Sequence, residues 1–262
     1  MIDYNIKIYK SLLQGLLEKG YSFITFKEYI ENKEKQLDPN SRFVILRHDV
    51  DLLPQNSLRF AKIQSELGVK GSYYFRAVPE SWDVSIIKEI ARLGHEVGYH
   101  YETMDTAKGD LDLAWNQFKF HLNELRDLVE VSTICMHGSP RSKFDNKEIW
   151  KKYSYDSLDI TGEPYYDVNF DELFYLTDTG RRWDGWKGSV SDKVPQQKER
   201  IIQGMVFRST ADVINSIKED KCPKQIMFTF HPQRWHNKAI PWVKELVLQN
   251  IKNTIKRLLI VK

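Results

Sequence analysis

Residues 43–51 read FVILRHDVD, and how this stretch folds decides the architecture of the chain. Four consecutive apolar residues, Phe43 to Leu46, are too short a run for an amphipathic helix and suit a strand buried on both faces. The run ends on charged and imidazole side chains, and a helical segment from about Gln55 to Leu67 follows, closed by Gly68. The same pattern recurs downstream. GSYYF (71–75) precedes a helix near Val84–Leu93, EVGYH (96–100) one near Leu111–Leu128, and STICM (132–136) one near Lys147–Tyr153. LFYL (173–176) and QIMFTF (225–230) read as further strands. Ser209 or Thr210 caps a helix reaching about Glu219, and Ile240–Leu259 is a helical tail. Upstream, Ile8, Leu12, Leu13, Leu16 and Leu17 recur at helical spacing as far as Gly20, and Thr25 is an N-cap for FKEYIEN. Residues 1–40 therefore read as a helical preface. Alternating strands and helices predict an α/β fold with a parallel sheet, either open and doubly wound or closed as a barrel. Without repeats or a Pro/Gly-rich linker, residues 1–262 are expected to form a single domain.

Composition narrows the function. A chain of 262 residues buries roughly three quarters of its unfolded surface and needs no disulfide staples. Hydrophobic residues make up 41% and aromatics 13%, which excludes a disordered chain. The net charge is +3, from 39 basic and 36 acidic side chains, so there is no electrostatic case for a nucleic-acid partner. Cys135 and Cys222 form no disulfide framework or zinc knuckle, consistent with a reducing compartment. The start, MIDYNIKIYK, has no apolar signal core, and no run approaches a membrane span of ~18 residues. A cytoplasmic protein is expected, with its oligomeric state open.

In α/β folds with parallel strands, the loops at the carboxyl ends of the strands build the site. Here those ends carry Arg47-His48-Asp49-Val50-Asp51, Arg76, His100-Tyr101-Glu102, His137-Gly138-Ser139-Pro140 and His231-Pro232. Asp49 and Asp51, two apart on a strand, share a face and can enter one pocket. Their mutual repulsion calls for a cation or a shared proton. One reading makes them a metal ligand and an acid–base group; the plainer one makes them a turn capping the next helix. His100, His137 and His231 at strand ends, beside such a pair, favour a shared metal or acid–base site, because histidine and carboxylate are the ligand set of Zn²⁺ and similar ions. His95 lies five residues before His100, on the opposite face, and reads as structural. His48 has the wrong parity and reads as strand packing, and His121 and His236 read as ordinary helix and turn residues.

These residues resemble the polysaccharide deacetylases of the NodB-homology type, carbohydrate esterase family four. GHEVGYH (94–100) is similar to the family's second motif, RHDVD (47–51) to a divergent first motif, MHGSP (136–140) stands where the third should be, and FTFHP (228–232) is similar to the closing one. The resemblance covers about residues 42–235. It implies a distorted (β/α) barrel, often seven-stranded, and metal-dependent removal of an N- or O-acetyl group from a sugar. It implies Asp49 as base, Asp51 and His100 as metal ligands and His231 as general acid. The family's second metal histidine falls on Met104, a poor ligand for zinc. His137 or Glu102 could fill that place, or the site could lack metal. The third-motif arginine is also missing; Arg47 or Arg141 could substitute for it.

The expected cofactor is thus a divalent metal, zinc first, with nickel or cobalt as alternatives. The expected partner is a carbohydrate. Trp183, Trp186 and Trp235 lie in polar, loop-like segments and could form a saccharide platform, or could equally pin a loop; Tyr73, Tyr74 and Phe75 read as core. Two competing readings are a metal-free amidohydrolase of the same superfamily and a catalytically silent saccharide-binding protein.

Overall fold

The computed structural model describes residues 2–33, 38, 40–138, 142–183 and 194–260. Among these residues, seven strands form one parallel sheet: β1 Ser22–Ile24, β2 Phe43–Val50, β3 Ser72–Phe75, β4 Glu96–Tyr101, β5 Ile134–Met136, β6 Phe174–Thr177 and β7 Gln225–Phe230. The helices are α1 Ile6–Glu18, α2 Phe26–Lys33, α3 Pro54–Glu66, α4 Val84–Arg92, α5 Thr103–Thr106, α6 Leu111–Arg126, α7 Pro164–Asp167, α8 Gln196–Ile202, α9 Thr210–Lys218 and α10 Ala239–Ile260. The strand order is β5-β4-β3-β2-β7-β6. β1 pairs with the first residues of β2, so the expected helical preface contributes a strand to the sheet.

Because side chains alternate across a strand, each strand has one face toward the helices and one away from them. Val44, Leu46 and Val50 of β2 pack with Tyr73, Phe75, Tyr99, Ile134, Leu176, Phe228 and Phe230 in the core shared with the helices. The alternate residues Phe43, Ile45, Tyr74, Cys135, Tyr175 and Met227 pack with one another and with Phe26 and Tyr29 of α2. Residues from one face of five strands can meet only if the sheet curls over that face. The fold is accordingly a distorted (β/α) barrel, with β5 and β6 as the two ends of the sheet. Gly98 makes the curl possible beside Tyr74: a Cβ there would fall 2.4 Å from the tyrosine ring.

Helix boundaries follow local chemistry. Asp83 and Asp110 accept first-turn amides of α4 and α6, and Ser209 with Asp212 forms a capping box on α9. α3 starts differently. Its N-cap is Leu53, in the left-handed region at φ 53°, with Pro54 in the first turn and no side-chain cap. Neither Asp49 nor Asp51 is spent on capping, which removes the plainer reading of that pair.

Candidate active site

Inside the barrel, parity stacks the polar residues toward the carboxyl ends of the strands: Arg47 and Asp49 below, then His100, with Asp51, His137 and His231 at the mouth. Arg47 grips Asp49 with two bonds, Nε to Oδ1 at 2.8 Å and Nη2 to Oδ2 at 2.6 Å, and both residues are buried. The Tyr165 ring covers the guanidinium at 5.0 Å. Asp49 Oδ2 also lies 3.9 Å from His100 Nε2.

The upper layer is organised by tautomers. His100 Nδ1 sits 2.9 Å from the Cys135 carbonyl, which can only accept, so this nitrogen carries the proton and Nε2 turns a lone pair outward. His137 Nδ1 lies 3.0 Å from Glu102 Oε2, an ion-pair distance without hydrogen-bond geometry. Both Nε2 atoms then face Asp51 Oδ1, each at 3.6 Å. Among the described residues that oxygen is buried without a hydrogen-bond partner, while Gln233 Nε2 donates to Oδ2 at 2.8 Å. Burial pushes the Asp51 carboxyl up, but His100, His137 and His231 pull harder and hold it well below the usual carboxylate range. For His137, burial pushes down, and Glu102 and Asp51 outweigh it, raising the imidazole above its ordinary value. His100 Nε2, His137 Nε2 and Asp51 Oδ1 thus converge on one point. Hydrogen-bonded charged pairs close to about 2.7–2.9 Å; a spacing of 3.6 Å suits ligands around a cation.

Glu102, one of the two candidates for the missing ligand, is already engaged. Arg76 donates to it from Nε and Nη2 at 2.8–3.1 Å. Arg76 Nη1 reaches the Asp51 carbonyl at 3.1 Å. Burial pushes the Glu102 carboxyl up, and His137 with Arg76 brings it below its ordinary value. Met104 is buried in the outer hydrophobic core, away from the barrel interior, so position 104 offers the site nothing. A second grouping, Asp49, His100 and Cys135, lies deeper, but its carboxylate is already neutralised by Arg47.

Across the mouth, His231 Nδ1 meets Asp178 Oδ1 at 2.6 Å. Asp178 also accepts from the His231 amide at 2.9 Å, Trp235 Nε1 at 2.8 Å and Arg234 Nη1 at 3.1 Å. Burial pushes this carboxyl up; His231 and Arg234 outweigh it and hold it below its ordinary value. Sequence reading missed Asp178, although the strand-end rule applied to LFYL reaches it two residues further on. It also missed Glu163, a buried carboxylate that accepts the Met136 and Tyr165 amides at the edge of β5 and is pushed up to about 7 by burial.

Two sequence expectations are corrected. Trp183 and Trp235 are fully buried and offer no ring face to a saccharide. Trp183 packs on Phe228 and Phe230 and donates to Thr210; Trp235 packs on Tyr4 and Phe60 and serves Asp178. Their surroundings are polar in sequence, but both rings fall on the helix side of β7. Arg141 and Trp186 lie outside the described residues. His48 and His95 are buried in the outer core, His48 against Tyr73 and Gln64, and burial lowers both imidazoles, His48 to about 3.

Neither the family models nor the curated proteins give a match to this chain. Solved structures do. In fold, the chain is similar to carbohydrate esterase family four proteins. The deacetylase PplD of Streptococcus pyogenes aligns at 15% identity and TM-score 0.45, over 59% of this chain and 70% of that one. A Bacillus anthracis protein described as a pseudoenzyme of that family aligns at 16% and 0.45, over 84% of this chain and 63% of that one. The Bacillus subtilis family four esterase PdaA aligns at 12% and 0.40, over 86% and 83%.

Proposed function

We propose that the protein is a metal-dependent hydrolase that removes an acetyl group from a carbohydrate. One observation carries the reading: the Nε2 atoms of His100 and His137 each lie 3.6 Å from an Asp51 oxygen that has no hydrogen-bond partner among the described residues. Two imidazoles and a carboxylate suit zinc, and nickel or cobalt fit the same donors. The motif resemblance adds the substrate class.

In this reading Asp51, His100 and His137 would hold a divalent cation, which would supply a water activated near neutral pH. Glu102 supports His137 from behind, as outer-shell carboxylates do for metal-binding histidines. Asp49 accepts the proton released as the acetyl carbonyl is attacked. Arg47 keeps both of its oxygens oriented by the bidentate pair. His231, its Nδ1 proton committed to Asp178, presents Nε2 to the leaving amine or alkoxide and returns a proton there.

Elemental analysis of the purified protein, with acetate release from N-acetylated and O-acetylated oligosaccharides, tests the proposal. Stoichiometric metal and acetate release that ceases in Asp49→Asn and His231→Ala are expected. Activity that persists after chelation leads to the metal-free amidohydrolase. Sugar binding without acetate release leads to the silent binding protein.

A further inference from the structure

We infer that α10 is an interfacial helix by which the protein docks on an anionic phospholipid surface. A surface helix normally buries an apolar stripe and exposes polar residues. α10 is inverted. Its inward face carries Trp242, Glu245, Gln249 and Asn253, at steps of three and four residues. Two polar bonds seat it: Trp242 Nε1 donates to the Asp3 carbonyl at 2.7 Å and Asn253 Nδ2 to the Gly180 carbonyl at 3.0 Å, while Gln249 Nε2 donates to Asn253 Oδ1 at 3.0 Å along the helix itself.

The outward face is apolar. Ile240 is 84% exposed, Val243 and Val247 50% each, Leu248 41% and Ile251 51%. At 100° per residue these five side chains fall in one stripe, opposite the buried Gln249. Lys244 is exposed within it and Lys252 beside it, and Lys238 is exposed just before the helix begins. From residue 238 to the last residue the sequence holds Lys238, Lys244, Lys252, Lys256, Arg257 and Lys262 against one acid, Glu245. The whole chain is only +3, so the remainder is net negative and the basic charge is concentrated on this segment.

That charge selects the occupant. Pairing with a second copy would bring Lys244 and Lys252 of two helices together, like charge against like. An anionic bilayer accepts both features, the stripe into its acyl boundary and the lysines among its headgroups. No helix among the described residues is long and apolar enough to cross a membrane, so α10 would lie flat on the surface.

The test is cosedimentation of the full chain with vesicles of phosphatidylcholine alone or mixed with phosphatidylglycerol. Binding to the mixed vesicles only, weakening as salt is raised, is expected. The Lys244→Ala/Lys252→Ala variant should partition roughly thirtyfold less, the sum expected of two lysines near an anionic surface. Val243→Ser/Val247→Ser/Ile251→Ser should abolish binding with an unchanged circular dichroism spectrum. Absence of binding to mixed vesicles overturns the proposal, as does equal binding to both lipids. So does light scattering in which the wild type self-associates, the serine variant is monomeric and neither binds vesicles: the stripe then serves a second copy.

Discussion

The mouth of the barrel holds two histidine–carboxylate–arginine sets, and they are built differently. His231 leans on Asp178, which is 0% exposed and held by four donors, among them Arg234 and Trp235. His137 leans on Glu102, whose side chain is 12% exposed and whose other partner is Arg76. The first set is dry and fixed by a whole shell; the second is wetter and has one carboxylate between one imidazole and one guanidinium. The dry set suits a proton donor whose orientation must not drift. The wetter one suits a ligand that must accept an ion from water.

The comparison breaks most severely at Asp178. Asp178→Asn keeps the shape but takes away the charge that sets the His231 tautomer, and turnover in an acetate-release assay should fall about 10⁴-fold, as in other buried carboxylate–histidine pairs. A value within tenfold of wild type would mean that His231 transfers no proton. Below the two sets, Arg47→Met leaves the buried Asp49 without its partner, and chemical unfolding should report a loss of about 3–5 kcal/mol. Glu102→Gln is gentler: metal affinity, measured by competition with a chelator, should drop about 10–100-fold, and the unfolding midpoint should fall by less than in Arg47→Met. An unchanged affinity would detach Glu102 from metal binding.

The two sets also differ in pH response. Asp178 is depressed, so its contribution to stability is complete above its ordinary value of 3.8 and is lost as pH falls through the depressed one. The second set is bounded on both sides. Glu102 is depressed and contributes fully above 4.5; His137 is raised and contributes fully below 6.5, its share being lost as pH rises through the raised value. In metal-free protein, the stability attributable to Glu102 and His137 should peak between those two values, and a double variant of the pair should flatten that peak in unfolding curves taken across pH. The smallest effect is the control: Lys10→Ala, which breaks an exposed pair with Glu66, should change stability by less than about 1 kcal/mol.

Most of the sheet was legible because its strands are continuous apolar runs ending in charged residues, and FVILRHDVD, EVGYH and QIMFTF all became strands close to their expected limits. β1 escaped notice because three residues, SFI, carry no pattern of their own; only pairing with β2 makes them a strand. At the site, parity brought Asp49, Asp51, His100 and His137 into one interior, since a strand cannot turn alternate side chains the same way. It could not separate ligand from support. Glu102 has the right parity too, but Arg76, from a different strand end, and His137 occupy it. The tryptophans misled because a polar neighbourhood in sequence does not report on which side of β7 a ring will lie.

Arg76 leaves one more mark on the molecule. It holds the Asp51 carbonyl and the Glu102 carboxylate at once, and Glu102 in turn steadies His137. Four neighbouring strand ends therefore share a single clasp. Fluctuations that open the rim should release them together, as one cooperative unit in hydrogen exchange, and not as four independently fraying ends.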